Sequence, residues 1–108
     1  MLTQDQKAYF DAFGFITVKQ AFSVAEIHEI INEAQRLWES DRAGAPLGEK
    51  GQHMSEFVEQ SQVLTRIVND RLRQSVELLI GSDFLWAGSE GNYTSNNAHG
   101  WHNDRPAE

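Results

Sequence analysis

The sequence contains no cysteine, which excludes a disulfide framework and any metal site built on thiolates. No apolar run approaches membrane-spanning length, so no membrane span is expected. Nor is there a cluster of lysine and arginine. Nine basic residues are scattered among sixteen acidic ones, the formal net charge is −7, and the pI is near 5.0. That balance argues against a surface for nucleic acid or for anionic membrane. The start, Met1 to Lys7, lacks the basic stretch and apolar run of a signal peptide. A cytoplasmic protein is therefore expected. At 108 residues the chain allows one domain at most, with a modest core.

The patterning that is present is largely helical. Thr3 and Gln6 have the spacing of a capping box, in which each side chain reaches an orphan backbone N–H at a helix start. This helix should run to about Phe13, with Ala8, Tyr9, Ala12 and Phe13 on one face, and end at Gly14. Phe15-Ile16-Thr17-Val18 is aromatic and β-branched, and predicts a short strand. Ser23 and Glu26 form a second capping box. From there Ile27, Ile30, Ile31, Ala34, Leu37 and Trp38 recur at helical spacing, which predicts a helix to about Ser40.

Residues 41–55 change character. Gly44, Pro46, Gly48 and Gly51 break any regular pattern and predict a loop. A helical pattern resumes with Phe57, Val58, Val63, Leu64, Ile67 and Val68. Asp70 is a candidate cap for a fresh helix, with Leu72, Val76, Leu79 and Ile80 on its apolar face and Gly81 at its end. Phe84-Leu85-Trp86-Ala87 predicts a buried strand, continued by Glu90 to Thr94 past a glycine-flanked bulge. Ser95 to Gly100 is polar and loop-like. Trp38 and Trp86 are expected in the core. Helices dominate the front and strands begin late. A complete α+β domain would need more strands to cover those present, and two or three strands alone leave unpaired edges. The expectation is the front portion of a larger domain, spanning residues 1–108 and truncated after its last motif.

That motif is Trp101-His102-Asn103-Asp104. Side chains at i and i+2 of a strand point to the same face, so His102 and Asp104 can form two corners of a metal site. An imidazole and a carboxylate are part of the 2-His-1-carboxylate set that holds non-haem Fe(II) while leaving positions open. The plain alternative makes His102 a strand-end histidine and Asp104 a turn residue before Pro106. His99 lies at an odd offset, so an extended chain would turn it to the other face. His28 is expected on the polar side of the second helix and His53 in the glycine-rich loop, both as surface residues. Asn92, Tyr93 and Thr94 lie on the strand before the motif, facing either a pocket or ordinary strand neighbours. Arg105 could orient Asp104 or meet an acidic substrate; a surface charge is the simpler role.

Several landmarks together resemble the N-terminal part of the phytanoyl-CoA dioxygenase family. They are Leu2-Thr3-Gln4-Asp5-Gln6, Tyr9-Phe10, Gly14-Phe15-Ile16, Phe22-Ser23 leading into a helix that ends near Trp38, Leu78-Leu79-Ile80-Gly81, and Trp101-His102-Asn103-Asp104. Their order covers essentially the whole chain, although none is specific alone. The resemblance implies an α+β fold, with N-terminal helices followed by the first strands of an incomplete double-stranded β-helix, or jelly-roll. It implies an Fe(II)- and 2-oxoglutarate-dependent oxygenase in which His102 and Asp104 bind iron. The reaction would hydroxylate a C–H bond of a small-molecule substrate while 2-oxoglutarate goes to succinate and CO₂. The family's second His and its cosubstrate-binding Arg lie well downstream of the motif, and no residue here matches them. The expectation is thus a fragment or truncated relative, inactive alone and weak or absent in cofactor binding. Two rivals stand beside it. One is a non-catalytic helical interaction module whose His-x-Asp is incidental. The other is a homo-oligomer formed through open strand edges.

Overall fold

The computed structural model describes residues 2–49, 51–94 and 101. Among these residues the chain is a mixed α+β fold. In order it forms α1 (Gln4–Phe13), α2 (Val24–Arg42), β1 (Gln52–Ser55), α3 (Gln62–Ile80) and β2 (Glu90–Tyr93).

The helix starts follow directly from local chemistry. Thr3 Oγ1 accepts from the Gln6 N–H at 3.2 Å while Gln6 Oε1 accepts from the Thr3 N–H at 2.8 Å. The same reciprocal pair forms between Ser23 and Glu26, at 3.1 and 2.9 Å. Each box satisfies two donors that a helix start would leave orphaned. Ser61 caps α3 by accepting from the Leu64 N–H at 3.1 Å. Gly14 and Gly81 stop α1 and α3 where expected, their N–H groups donating to Phe10 and Glu77 carbonyls.

α2 and α3 run antiparallel. Glu26, Glu29 and Glu33 on α2 meet Arg71, Arg66 and Ser61 in reverse order along the chain. The arginine pairs are exposed and contribute little each; their joint effect is to fix register. The attraction comes from the apolar stripe. Ala34, Leu37, Met54, Phe57 and Leu64 form the buried cluster, with Ile30, Trp38 and Val58 packed around it. Ile67 is 1% exposed. α1 buries none of its residues; its Tyr9 ring instead packs on Phe13 and Phe15, with centroids 4.7 and 5.6 Å away.

β1 and β2 pair antiparallel, with Gln52 opposite Tyr93 and Met54 opposite Gly91. Alternation gives the sheet two unlike faces. Met54, Gly91, Gln52 and Tyr93 face the helices, and His53, Ser55, Glu90 and Asn92 face outward. Gly91 is buried against Phe57, and a Cβ there would overlap the Phe57 ring. Glycine is needed for that close approach.

Four expectations from the sequence are corrected. Phe15–Val18 lies in no ladder, because β-prone residues become a strand only where a partner takes their backbone groups. Residues 41–55 are not loop throughout: β1 forms from unremarkable β-formers because Met54 is buried and β2 lies alongside, a tertiary effect overriding propensity. No fresh helix starts at Asp70, which is exposed in the middle of α3; the i, i+3, i+4 spacing from Leu64 onward is unbroken, and Ser61 is the cap. Phe57 and Val58 form a turn before it. Phe84–Ala87 is not a buried strand: Leu85 is 94% and Trp86 57% exposed. A short apolar run fixes neither element type nor burial. Trp38, by contrast, packs on the core as expected.

Candidate functional site

β2 is the element that leads toward the His-x-Asp motif, and its surroundings are well anchored. Tyr93 meets Trp38 edge-on at 5.0 Å, and Trp38 stacks on Phe57 at 5.1 Å. Gln52, opposite Tyr93, donates through Nε2 to the Trp38 carbonyl at 2.9 Å and to Asp41 at 2.8 Å, and its Oε1 accepts from Arg42 at 2.8 Å. The side-chain amide is therefore saturated on its inner side. A cavity of about 140 Å³ lies beside it, lined by Gln35, Trp38, Glu39, Arg42, Leu47 and Tyr93. On the outer face, His53 Nδ1 and Asn92 Oδ1 lie 2.5 Å apart. With Nδ1–H donating to that oxygen, Nε2 is the nitrogen left with a lone pair. His53 is a surface residue, as expected, but on a strand rather than in a loop.

His102 and Asp104 lie outside the described residues, as do His99 and Arg105. Trp101 is described and fully exposed. His28 is exposed on α2, as its position on the polar side predicts. Among the described residues no three His, Asp or Glu side chains gather where they could hold a metal. The described part of the molecule therefore brings together the strand that precedes the motif and its supports.

The least legible cluster centres on Glu59, in the turn before α3. Its Oε1 accepts from the Trp86 indole N–H at 2.6 Å and its Oε2 from the Ser89 hydroxyl at 2.5 Å. The Ser89 hydroxyl in turn accepts from the Val58 N–H at 2.8 Å. The hydroxyl first, and the indole second, hold the Glu59 carboxyl below its ordinary value. The sequence offers no signal for this pairing, which joins residues far apart in the chain. The one hint is Trp86 itself, whose N–H needs an acceptor wherever it is sheltered.

No helix among the described residues is long and apolar enough to cross a membrane. Comparison with protein-family models, curated proteins and solved structures finds no match to this chain.

Proposed function

We propose that this chain is the N-terminal part of an Fe(II)- and 2-oxoglutarate-dependent oxygenase resembling the phytanoyl-CoA dioxygenase family. The observation that carries the reading is the position of β2. An antiparallel strand anchored on Trp38 ends at Tyr93, shortly before Trp101-His102-Asn103-Asp104. Backbone extended through the motif itself would turn an imidazole and a carboxylate to one side. The order of two boxed helices, a third helix closed by Gly81, and then strand supports the same reading. So do the exposed apolar side chains, which further strands of a jelly-roll would cover.

The donor types fit the metal: a neutral imidazole and a carboxylate suit Fe(II), and their hydrogen-bonding partners set ring tautomer and carboxylate orientation. His102 and Asp104 would hold the iron. With 2-oxoglutarate bound, iron supplies O₂-dependent hydroxylation of a C–H bond in a small-molecule substrate. The family's distal His and Arg have no counterpart in this sequence, so both belong to further polypeptide on this reading. The chain's own contribution is to hold β2 in place and carry two ligands.

The test is titration with Co(II), a spectroscopically visible stand-in for Fe(II). Binding should weaken by roughly tenfold or more in His102→Ala and in Asp104→Ala, and be unchanged in His53→Ala. Binding indifferent to both motif substitutions would remove the metal assignment. A second reading, a non-catalytic helical interaction module, is favoured by the exposure of Ile80, Leu85 and Trp86. It is the reading left standing by that negative result.

A further inference from the structure

The segment joining α3 to β2 has the construction of a strap. Residues 82–87 belong to no helix or strand. Gly81 at one end has φ 88° and Gly88 at the other has φ 140°, conformations that side-chain-bearing residues rarely adopt. Phe84 is half-buried toward α3, while Leu85 points to solvent at 94% exposure. Beneath the segment lie two adjoining cavities. One, about 250 Å³, is lined in part by Val68, Leu72, Val76, Phe84 and Trp86. The other, about 240 Å³, continues it to Val58 and Thr65. The strap thus bridges an incompletely filled apolar flank of α3, so packing alone holds it weakly. A single carboxylate, Glu59, takes both the Trp86 and the Ser89 donors.

We propose that residues 82–87 are a movable strap, hinged at Gly81 and Gly88 and latched over the apolar flank of α3 by the Glu59 carboxylate. Hydrogen bonds to an ionised acceptor are the strong ones: Trp86 of the strap donates to Glu59 Oε1, while Ser89, just beyond the Gly88 hinge, holds the same carboxylate in place through Oε2. Other ionisable groups on the surrounding elements are Glu56 on the same turn, Asp83 in the strap, Glu90 on β2, and Arg66, Asp70, Arg71 and Arg73 on α3. Arg66, Arg71 and Arg73 pair with Glu29, Glu26 and Glu77. The latch is therefore made by neutral donors. Because the closed state favours the charged carboxyl, closure is fully supported above the ordinary glutamate value. The charge-assisted part of that support is lost as pH falls through the lowered one, leaving the weaker bond that a neutral carbonyl oxygen accepts.

The experiment is ¹H–¹⁵N NMR on the full chain, with the Trp86 indole N–H assigned through Trp86→Phe, together with heteronuclear NOEs of the amides of residues 82–88. Glu59→Ala should lower the NOEs of the strap at neutral pH and leave those of the Leu64 and Ile67 amides unchanged. Glu59→Gln keeps one acceptor and the shape, so the strap should stay closed. Its indole resonance should lose the acid-induced shift expected of the unaltered protein as Glu59 protonates, below the ordinary glutamate range. Ser89→Ala, which removes one donor, should move both readouts part way. Equal strap NOEs in Glu59→Ala and the unaltered protein would overturn the proposal. So would an indole resonance that does not titrate, or one that titrates equally in Glu59→Gln.

Discussion

Gly91 shows how much one missing side chain can matter. It sits opposite Met54 in the ladder, and the Phe57 ring occupies the space a Cβ would take. Gly91→Ala should therefore force the ring or the strand aside and lower stability by about 1–3 kcal/mol, the range for overpacking a filled site. Urea unfolding reads this directly. Pairing the change with Phe57→Leu should cost less than the sum of the two singles, because the residues share one volume. At this scale the sequence is legible in chemistry and silent in partners. Trp38 and Trp86 carry the same side chain, yet one packs on the core and the other stands out, held by Glu59. His102 and Asp104 likewise declare a donor set by type and spacing alone.

Elements are most legible where their signals are local. The three helix starts at Thr3, Ser23 and Ser61 each present a hydroxyl to a backbone N–H three residues on, and two of them are visible as boxes in the sequence. Ser61 is obscured in the sequence because Asp70 offers a competing cap and Phe57 and Val58 extend the apolar pattern through a turn. Four-residue strands are less legible, since β1 exists through its pairing with β2 and the burial of Met54. Ser61 also joins two elements: its hydroxyl donates to Glu33 Oε1 on α2 at 2.7 Å. Arg36 first, and Ser61 second, bring the Glu33 carboxyl down to about 2. A lowered carboxyl stabilises the fold above its unfolded value, and that support is lost as pH falls toward the folded one. Ser61→Ala should thus cost about 1–2 kcal/mol at neutral pH, through the lost cap. Glu33→Gln should flatten the fall in stability between the ordinary value of 4.5 and about 2. Denaturant midpoints measured across that pH range check both.

For the molecule as a whole, apolar surface is left uncovered among the described residues. Phe13, Phe15, Val24, Ile80 and Leu85 are all more than half exposed. The sequence pattern places Phe13 and Ile80 on apolar helix faces and Phe15 and Leu85 in apolar runs, but what covers such residues is a property of neighbours, which periodicity cannot name. The sheet has the same incompleteness. The Glu56 N–H donates to the Ser89 carbonyl, which in an antiparallel ladder makes Met54–Gly91 and Gln52–Tyr93 the bonded pairs. The backbone groups of His53 and Asn92 then point away from each other, along the two outer edges. Gln60 already caps the Ser55 carbonyl, so on β1 both outward groups of His53 and the outward N–H of Ser55 are left for a further strand. Such an edge is a template for another strand. The expected outcome is reversible self-association at high protein concentration, seen by sedimentation velocity. It should be suppressed in His53→Pro, which removes an outward N–H without touching the β1–β2 bonds. A clean monomer across the whole concentration range would count against edge pairing between copies.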